Sequence, residues 1–211
     1  VPPFEVSVFA DPSGAFTTAA GMVAITEKSL KQNFDCSLDG SNVVILGGTG
    51  PVGVASAVIC AKAGANVILI GRNIEKVGKV AGICNDRYKS KNVKPGADAD
   101  KSEYFKIADV VLNTGAAGIQ LMTEEHIKNS DTLKICADTN AVPPAGIAGV
   151  DVMDNAKLIE TSPSKCLGIG ALAIGNIKYK AQHECLKLMY TSEKPVYLDF
   201  EDAFKFAQQS V

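Results

Sequence analysis

The chain has 211 residues, 46% of them hydrophobic and 21% charged, a balance that excludes a disordered or fibrous protein and allows one domain or two small ones. Lys and Arg (21) nearly cancel Asp and Glu (23), so a net charge of −2 offers no basic stripe to a nucleic-acid backbone. The six cysteines never form C-x-x-C, and two histidines are too few for a His-rich metal site. They are expected to be small, reduced core residues of a cytoplasmic protein, with no metal bound.

Residues 40–61 carry no charge over 22 positions, long enough to cross a bilayer, but five glycines and Pro51 interrupt them and Lys62 follows. They read as a buried strand, a tight turn and a buried helix, and no membrane association is expected. VPPFEVSVFADP at the start has no basic region or long apolar core, so no signal peptide is expected.

Residues 5–10 (EVSVFA) alternate like a short strand, and residues 17–33 read as a helix with Thr17 or Thr18 placed to cap it. Strand NVVIL (42–46) leads through glycines into a helix from about 52 to 63, with Gly64 at its C-cap. Strand NVILIG (66–71) and a helix over about 73–88 follow. The polar segment 89–103 has at most an edge strand at 91–94. ADVVLN (108–113) and LKICAD (133–138) are strands, separated by a short helix in TEEHIKNS. A long helix from Ala171 to about Tyr190 and an amphipathic helix, DFEDAFKFAQQ, close the chain. Apolar strands alternating with helices predict an α/β fold, a doubly wound parallel sheet with right-handed crossovers.

Gly48-Thr49-Gly50-Pro51-Val52-Gly53 is G-x-G-x-x-G, placed directly after a strand and at the opening of a helix. Gly48 is expected to permit the tight turn, Gly50 the approach of a pyrophosphate, and Gly53 close helix–strand packing. The helix N-terminus offers N–H groups and a positive dipole end to the phosphates. At the end of the second strand an NAD site needs a carboxylate for the ribose hydroxyls, but this chain has Arg72, with Lys76 one turn on. A guanidinium pairs with a 2′-phosphate, so the cofactor expected is NADP. Asn113-Thr114-Gly115-Ala116 and Asp138-Thr139-Asn140 follow two further strands and should face the nicotinamide end of the same crevice. Tyr190 and Lys194 form Y-x-x-x-K, but Pro195 ends the helix that such a catalytic pair needs.

The strings VVILGGTGPVGVASAVICAKAGANVILIGRNIEK, NTGAAGIQL, ADTNAVPPAGIAGVD and GIGALAIGNIKYKAQHECL together resemble the NADP-dependent methylene-tetrahydromethanopterin dehydrogenases of methylotrophic bacteria, distantly similar to methylene-tetrahydrofolate dehydrogenases. The resemblance implies hydride transfer from a methylene group held between two nitrogens of a reduced pterin, in one-carbon oxidation. The methenyl product cation is delocalised over both nitrogens, so no proton need move in that step, and the protein's task is alignment and electrostatic tuning. It implies that Gly48–Gly53 is the phosphate loop, Arg72 the 2′-phosphate ligand, Lys178 a lysine near the reacting centre and Thr18 a threonine lining the pterin–nicotinamide cleft. Asp138 is expected, from its charge alone, to offset the product cation. The resemblance also implies a homo-oligomer, and a further N-terminal segment in family members ahead of the PFEV-like strand. Residues 1–35 would then belong to a substrate-side lobe, 36–170 to a Rossmann-type NADP-binding domain, and 171–211 to helices packing back on the first lobe. DPSGAFTT at 11–18 is less polar than the family tends to be, so Pro12 and Phe16 are expected to reshape the cleft. The alternatives are a non-catalytic NADP-binding module and, more weakly, a shikimate-type oxidoreductase, whose N-terminal Lys–Asp pair has no counterpart in this sequence.

Overall fold

The computed structural model describes residues 3–211. In chain order its elements are β1 (Val8–Phe9), α1 (Ala15–Phe34), β2 (Asn42–Leu46), α2 (Pro51–Lys62), β3 (Asn66–Gly71), α3 (Ile74–Tyr88), β4 (Val93–Ala97) and α4 (Lys101–Ile107). There follow β5 (Val110–Asn113), α5 (Glu124–Lys128), β6 (Ile135–Asp138), β7 (Asn155–Leu158), β8 (Leu167–Ile169), α6 (Ala171–Thr191), β9 (Tyr197–Leu198) and α7 (Phe200–Ser210).

Seven strands form one sheet in the order β4-β3-β2-β5-β6-β8-β7, parallel throughout except for antiparallel β7 at one edge. The α/β fold class and the doubly wound sheet are as expected from the sequence. Strand order reverses between β2 and β5, and a ligand crevice opens beyond the carboxyl ends of such a pair. Alternation along each strand sends Val43 and Ile45 into one core and Val44 and Leu46 into the other. Both cores are built of buried hydrophobic residues, which is why NVVIL is apolar at successive positions rather than at every second one. The larger core lies under α1, α2, α3, α6 and α7, and the smaller lies under α4 and α5 with Phe105 and Ile127.

The polar segment does hold an edge strand, but over Val93–Ala97, two residues later than expected, with Pro95 tolerated because β4 has a free edge. Strand 5–10 shrinks to Val8–Phe9 and pairs with β9, outside the main sheet. The α1 cap differs as well. The helix begins at Ala15, and Asp11, reaching past a 3₁₀ turn, accepts from the N–H groups of Phe16 (2.8 Å) and Thr17 (3.1 Å). Asp11 also accepts from the Thr17 hydroxyl at 2.7 Å, so Thr17 and Thr18 sit inside the first turns and cap nothing.

Five of the six cysteines are buried and all are free. Burial pushes the Cys60 thiol up to about 12 and the Cys185 thiol up to about 11. Such thiols are packing groups rather than nucleophiles.

The Thr123-x-x-His126 start of α5 forms a capping box, the His126 Nδ1 accepting from the Thr123 N–H at 3.0 Å while Nε2 meets the Ser102 hydroxyl at 3.1 Å. Burial first, then the Lys101 charge, lowers the His126 pKa from its ordinary value. A histidine depressed by folding stabilises the fold above its unfolded pKa of about 6.5 and loses that contribution as pH falls from there through the lowered folded value. Glutamine keeps the box without titrating. H126Q is therefore expected to flatten the acid-side decline of the urea midpoint, and an unchanged decline would place its origin elsewhere.

Candidate functional site

The turn after β2 is built from glycines that different neighbours require. Gly47, not Gly48, takes the left-handed backbone (φ +70°), and a methyl there would meet the Gly115 Cα at 2.6 Å. A methyl on Gly48 would strike Leu69 at 2.6 Å, and one on Gly53 would meet the Gly48 Cα and the Thr114 hydroxyl at 2.8 Å. At Gly50 the only neighbour of an added methyl among the described residues would be the Gly47 carbonyl at 3.5 Å. Protein packing thus accounts for Gly47, Gly48 and Gly53, and leaves open space beside Gly50.

Gly50 is the N-cap of α2 and Pro51 opens the helix, so the N–H groups of Val52 and Gly53 have no intrahelical acceptor. Thr49 is half-buried on the turn and faces Gly71. Around this turn a cleft of about 310 Å³ is lined by Thr49, Gly71, Arg72, Asp98, Gly115, Ala116, Ile119 and Leu121, over a floor of Leu46 and Ile70. Arg72 is exposed at its rim and forms no ion pair among the described residues. Lys76 is exposed one turn on, its N–H bound by the Asn73 cap at 2.9 Å. Open space beside Gly50, free N–H groups at a helix end and an uncommitted guanidinium are what a phosphorylated dinucleotide requires. The residues fit that cofactor.

The loops after β5 and β6 are tied together from beneath. Asp138 is 2% exposed, and its carboxylate accepts from Asn113 Nδ2 (2.8 Å), the Asn140 N–H (2.9 Å) and the Ile147 N–H (3.0 Å). Asn113 in turn accepts from the Gly115 N–H at 3.0 Å. Gly146 must be glycine, because a methyl there would collide with Asn113 Nδ2. Asn140 accepts from Gly118 and Val142 and donates to the Pro144 carbonyl at 2.7 Å. The Thr114 hydroxyl is likewise engaged, donating to the Leu46 carbonyl at 2.7 Å. A smaller hollow of about 200 Å³ opens between residues 140–145 and 150–152.

Thr18 and Lys178 lie elsewhere, where α1 begins beside α6. The Thr18 hydroxyl donates to the Gly14 carbonyl at 2.6 Å, and a methyl on Gly14 would stand 2.6 Å from Lys178 Nζ. The lysine head is therefore seated over the start of α1. No hydrogen bond or ion pair joins this pair to Asp138 among the described residues. Two larger hollows, about 550 and 380 Å³, open along α1 and α7 and contain none of these groups. Tyr190 is exposed near the end of α6, and Lys194 lies beyond it. Sequence reasoning missed Gly47, Asp98, Ile119 and Leu121. The doubled glycine was a signal for the first, and the others fall on loops without pattern.

No family model matches the chain. Among solved structures it is similar in fold to quinate dehydrogenase from Corynebacterium glutamicum in complex with NAD, with a TM-score of 0.59 at 13% identity, covering 100% of this chain and 76% of that one. Shikimate dehydrogenase from Mycobacterium tuberculosis gives 0.56 at 15% identity, with 90% of this chain covering 62% of that one. The sheet, its switch point and the glycine turn define a dinucleotide-binding fold of the dehydrogenase type. The chain is 43% identical over 98% of its length to NAD(P)-dependent methylenetetrahydromethanopterin dehydrogenase of Methylorubrum extorquens, covering 70% of that protein, and 36% identical over 98% to Bifunctional protein MdtA of the same organism, covering 69%. It belongs to the methylenetetrahydromethanopterin dehydrogenase family.

Proposed function

We propose that this protein is an oxidoreductase that transfers hydride from methylene-tetrahydromethanopterin, or its folate counterpart, to NADP+, giving the methenyl pterin. The family relation, 43% identity across 98% of the chain, carries this reading. NADP+ bound in the cleft supplies the hydride acceptor. The Val52 and Gly53 N–H groups and the dipole of α2 hold the pyrophosphate, with Gly48, Thr49, Gly50 and Pro51 shaping the turn. Arg72, backed by Lys76, holds the 2′-phosphate. Thr114, Gly115, Ala116 and Asn140 form the wall leading to the nicotinamide end, and Asp138 holds that wall in place from below.

Lys178, beside Thr18, lies on the substrate side in this reading and binds polar edges of the pterin. A cation next to the forming methenyl cation would oppose the reaction, so its task is orientation rather than charge stabilisation. We divide the chain accordingly: 36–170 as the NADP-binding domain, with 1–35 and 171–211 on the substrate side. Packing of α6 and α7 along α1 supports that grouping. We place the protein in the cytoplasm as a homo-oligomer. Buried free thiols suit a reducing compartment, and the exposed Leu172, Tyr179, Leu186 and Tyr190 along α6 suit a subunit contact. No helix among the described residues is long and apolar enough to cross a membrane.

The test is NADPH formation with methylene-tetrahydromethanopterin, with methylene-tetrahydrofolate and NAD+ as comparison arms. Turnover with NADP+ on either pterin is the expected result. Saturable NADP+ binding without turnover on any reduced pterin would instead favour a non-catalytic binding module.

A further inference from the structure

Asp98 directly follows β4, and the parallel register sets Ala97 beside Gly71, so Arg72 and Asp98 leave neighbouring strands at one level. Both line the 310 Å³ cleft, whose remaining walls include the apolar side chains of Leu46, Ile70, Ile119 and Leu121. The two opposite charges do not pair with each other. Asp98 Oδ1 instead meets Lys101 Nζ at 3.3 Å, three residues on, which leaves the guanidinium available for phosphate. The Asp98 side chain is 39% exposed, and a carboxylate has about four lone-pair sites, so one ion pair leaves acceptor capacity facing the cleft.

A slot with apolar faces and a fixed carboxylate suits a flat heteroaromatic ring that carries N–H donors on its edge. We propose that Asp98 selects the base of the dinucleotide, accepting a hydrogen bond from the 6-amino group of adenine. This rests on the dinucleotide reading and assigns a residue to a part of the ligand which that reading leaves open. Hypoxanthine has a carbonyl oxygen in place of that amino group and a hydrogen on N1, so at the 6-position that Asp98 reads an acceptor replaces a donor. Against Asp98 it sets acceptor against acceptor, and a polar mismatch of that kind weakens binding more than loss of a neutral contact does.

The experiment is calorimetric titration of the whole chain with NADP+ and with nicotinamide hypoxanthine dinucleotide phosphate, which reads binding without turnover. Wild type is expected to prefer the adenine form by about tenfold or more. In Asp98→Asn the amide turns an N–H toward the carbonyl, and the preference is expected to vanish or invert. In Asp98→Ala both forms should bind about equally. A role of Asp98 limited to its ion pair would lower both affinities by one factor, and Lys101→Met should leave the preference intact. Equal binding of the two forms by wild type, or a preference that survives both Asp98 substitutions, overturns the proposal. Failure of wild type to bind either form overturns the dinucleotide reading, and this proposal with it.

Discussion

Arg72→Asp is expected to raise the KM for NADP+ roughly 100-fold, equivalent to about 3 kcal/mol, while the KM for NAD+ falls a few-fold. The guanidinium is exposed at the rim of the cleft and engaged by no carboxylate among the described residues, so its strong partner would be the ligand. Reversing the charge removes a charge-assisted, bidentate contact and adds repulsion toward the 2′-phosphate. A carboxylate at the same point can accept from the two ribose hydroxyls of NAD+. Lys76→Ala should cost only a few-fold, because an exposed lysine one turn away acts through a screened field. The check is kcat/KM for both dinucleotides. An equal loss with NADP+ and NAD+ would mean that Arg72 shapes the loop and does not read the phosphate.

The second large effect is expected at Asp138. Asp138→Ala leaves Asn113 Nδ2 and the N–H groups of Asn140 and Ile147 buried without an acceptor, a cost of about 3–4 kcal/mol. For a chain of this size that lowers Tm by roughly 10 °C. Asp138→Asn is milder, since its amide oxygen still accepts while its NH₂ opposes one N–H donor. Asn113 ends β5 just before Gly115 and Ala116 of the cleft wall, and Asn140 and Ile147 lie in the segment after β6, so cofactor affinity of the folded fraction should also fall. Thermal unfolding and NADP+ titration of both variants provide the check. A loss below about 1 kcal/mol in Asp138→Ala would mean that water replaces the carboxylate and that the loops hold themselves.

The central strands were readable because a parallel strand covered on both faces is apolar at successive positions, as VVIL of β2, VILI of β3 and VVL of β5 are. Elements without that double burial escaped. β7 is an exposed antiparallel edge with one half-buried residue, β8 has three residues, and α4 is two turns long inside a charged stretch. At the site, G-x-G-x-x-G located the turn and gave its tight bend to Gly48, while the left-handed residue is Gly47 just ahead of the motif, a distinction that pattern alone cannot draw. Charge sign suggested that Asp138 faces the reacting centre. Its burial and three donors, invisible in sequence, place it beneath the loops as their support. The α1 cap was misread for a related reason: Asp11 lies beyond a turn, outside the spacing at which a capping residue is sought.

The closure of the first elements by the last ones constrains how the protein is made. Val8 pairs with Tyr197, and α1, buried along much of its 20 residues, is covered by α6 and α7 as well as α2. On the ribosome α1 emerges long before Ala171, and at ordinary synthesis rates of about 5–20 residues per second its covering helices follow on the order of ten seconds later. During that interval Met22, Val23, Ile25 and Leu30 have no complete partner surface. The sheet can assemble in order as it is translated, but the helical layer sealing it cannot, so nascent chains stalled before α6 are the species most dependent on chaperones.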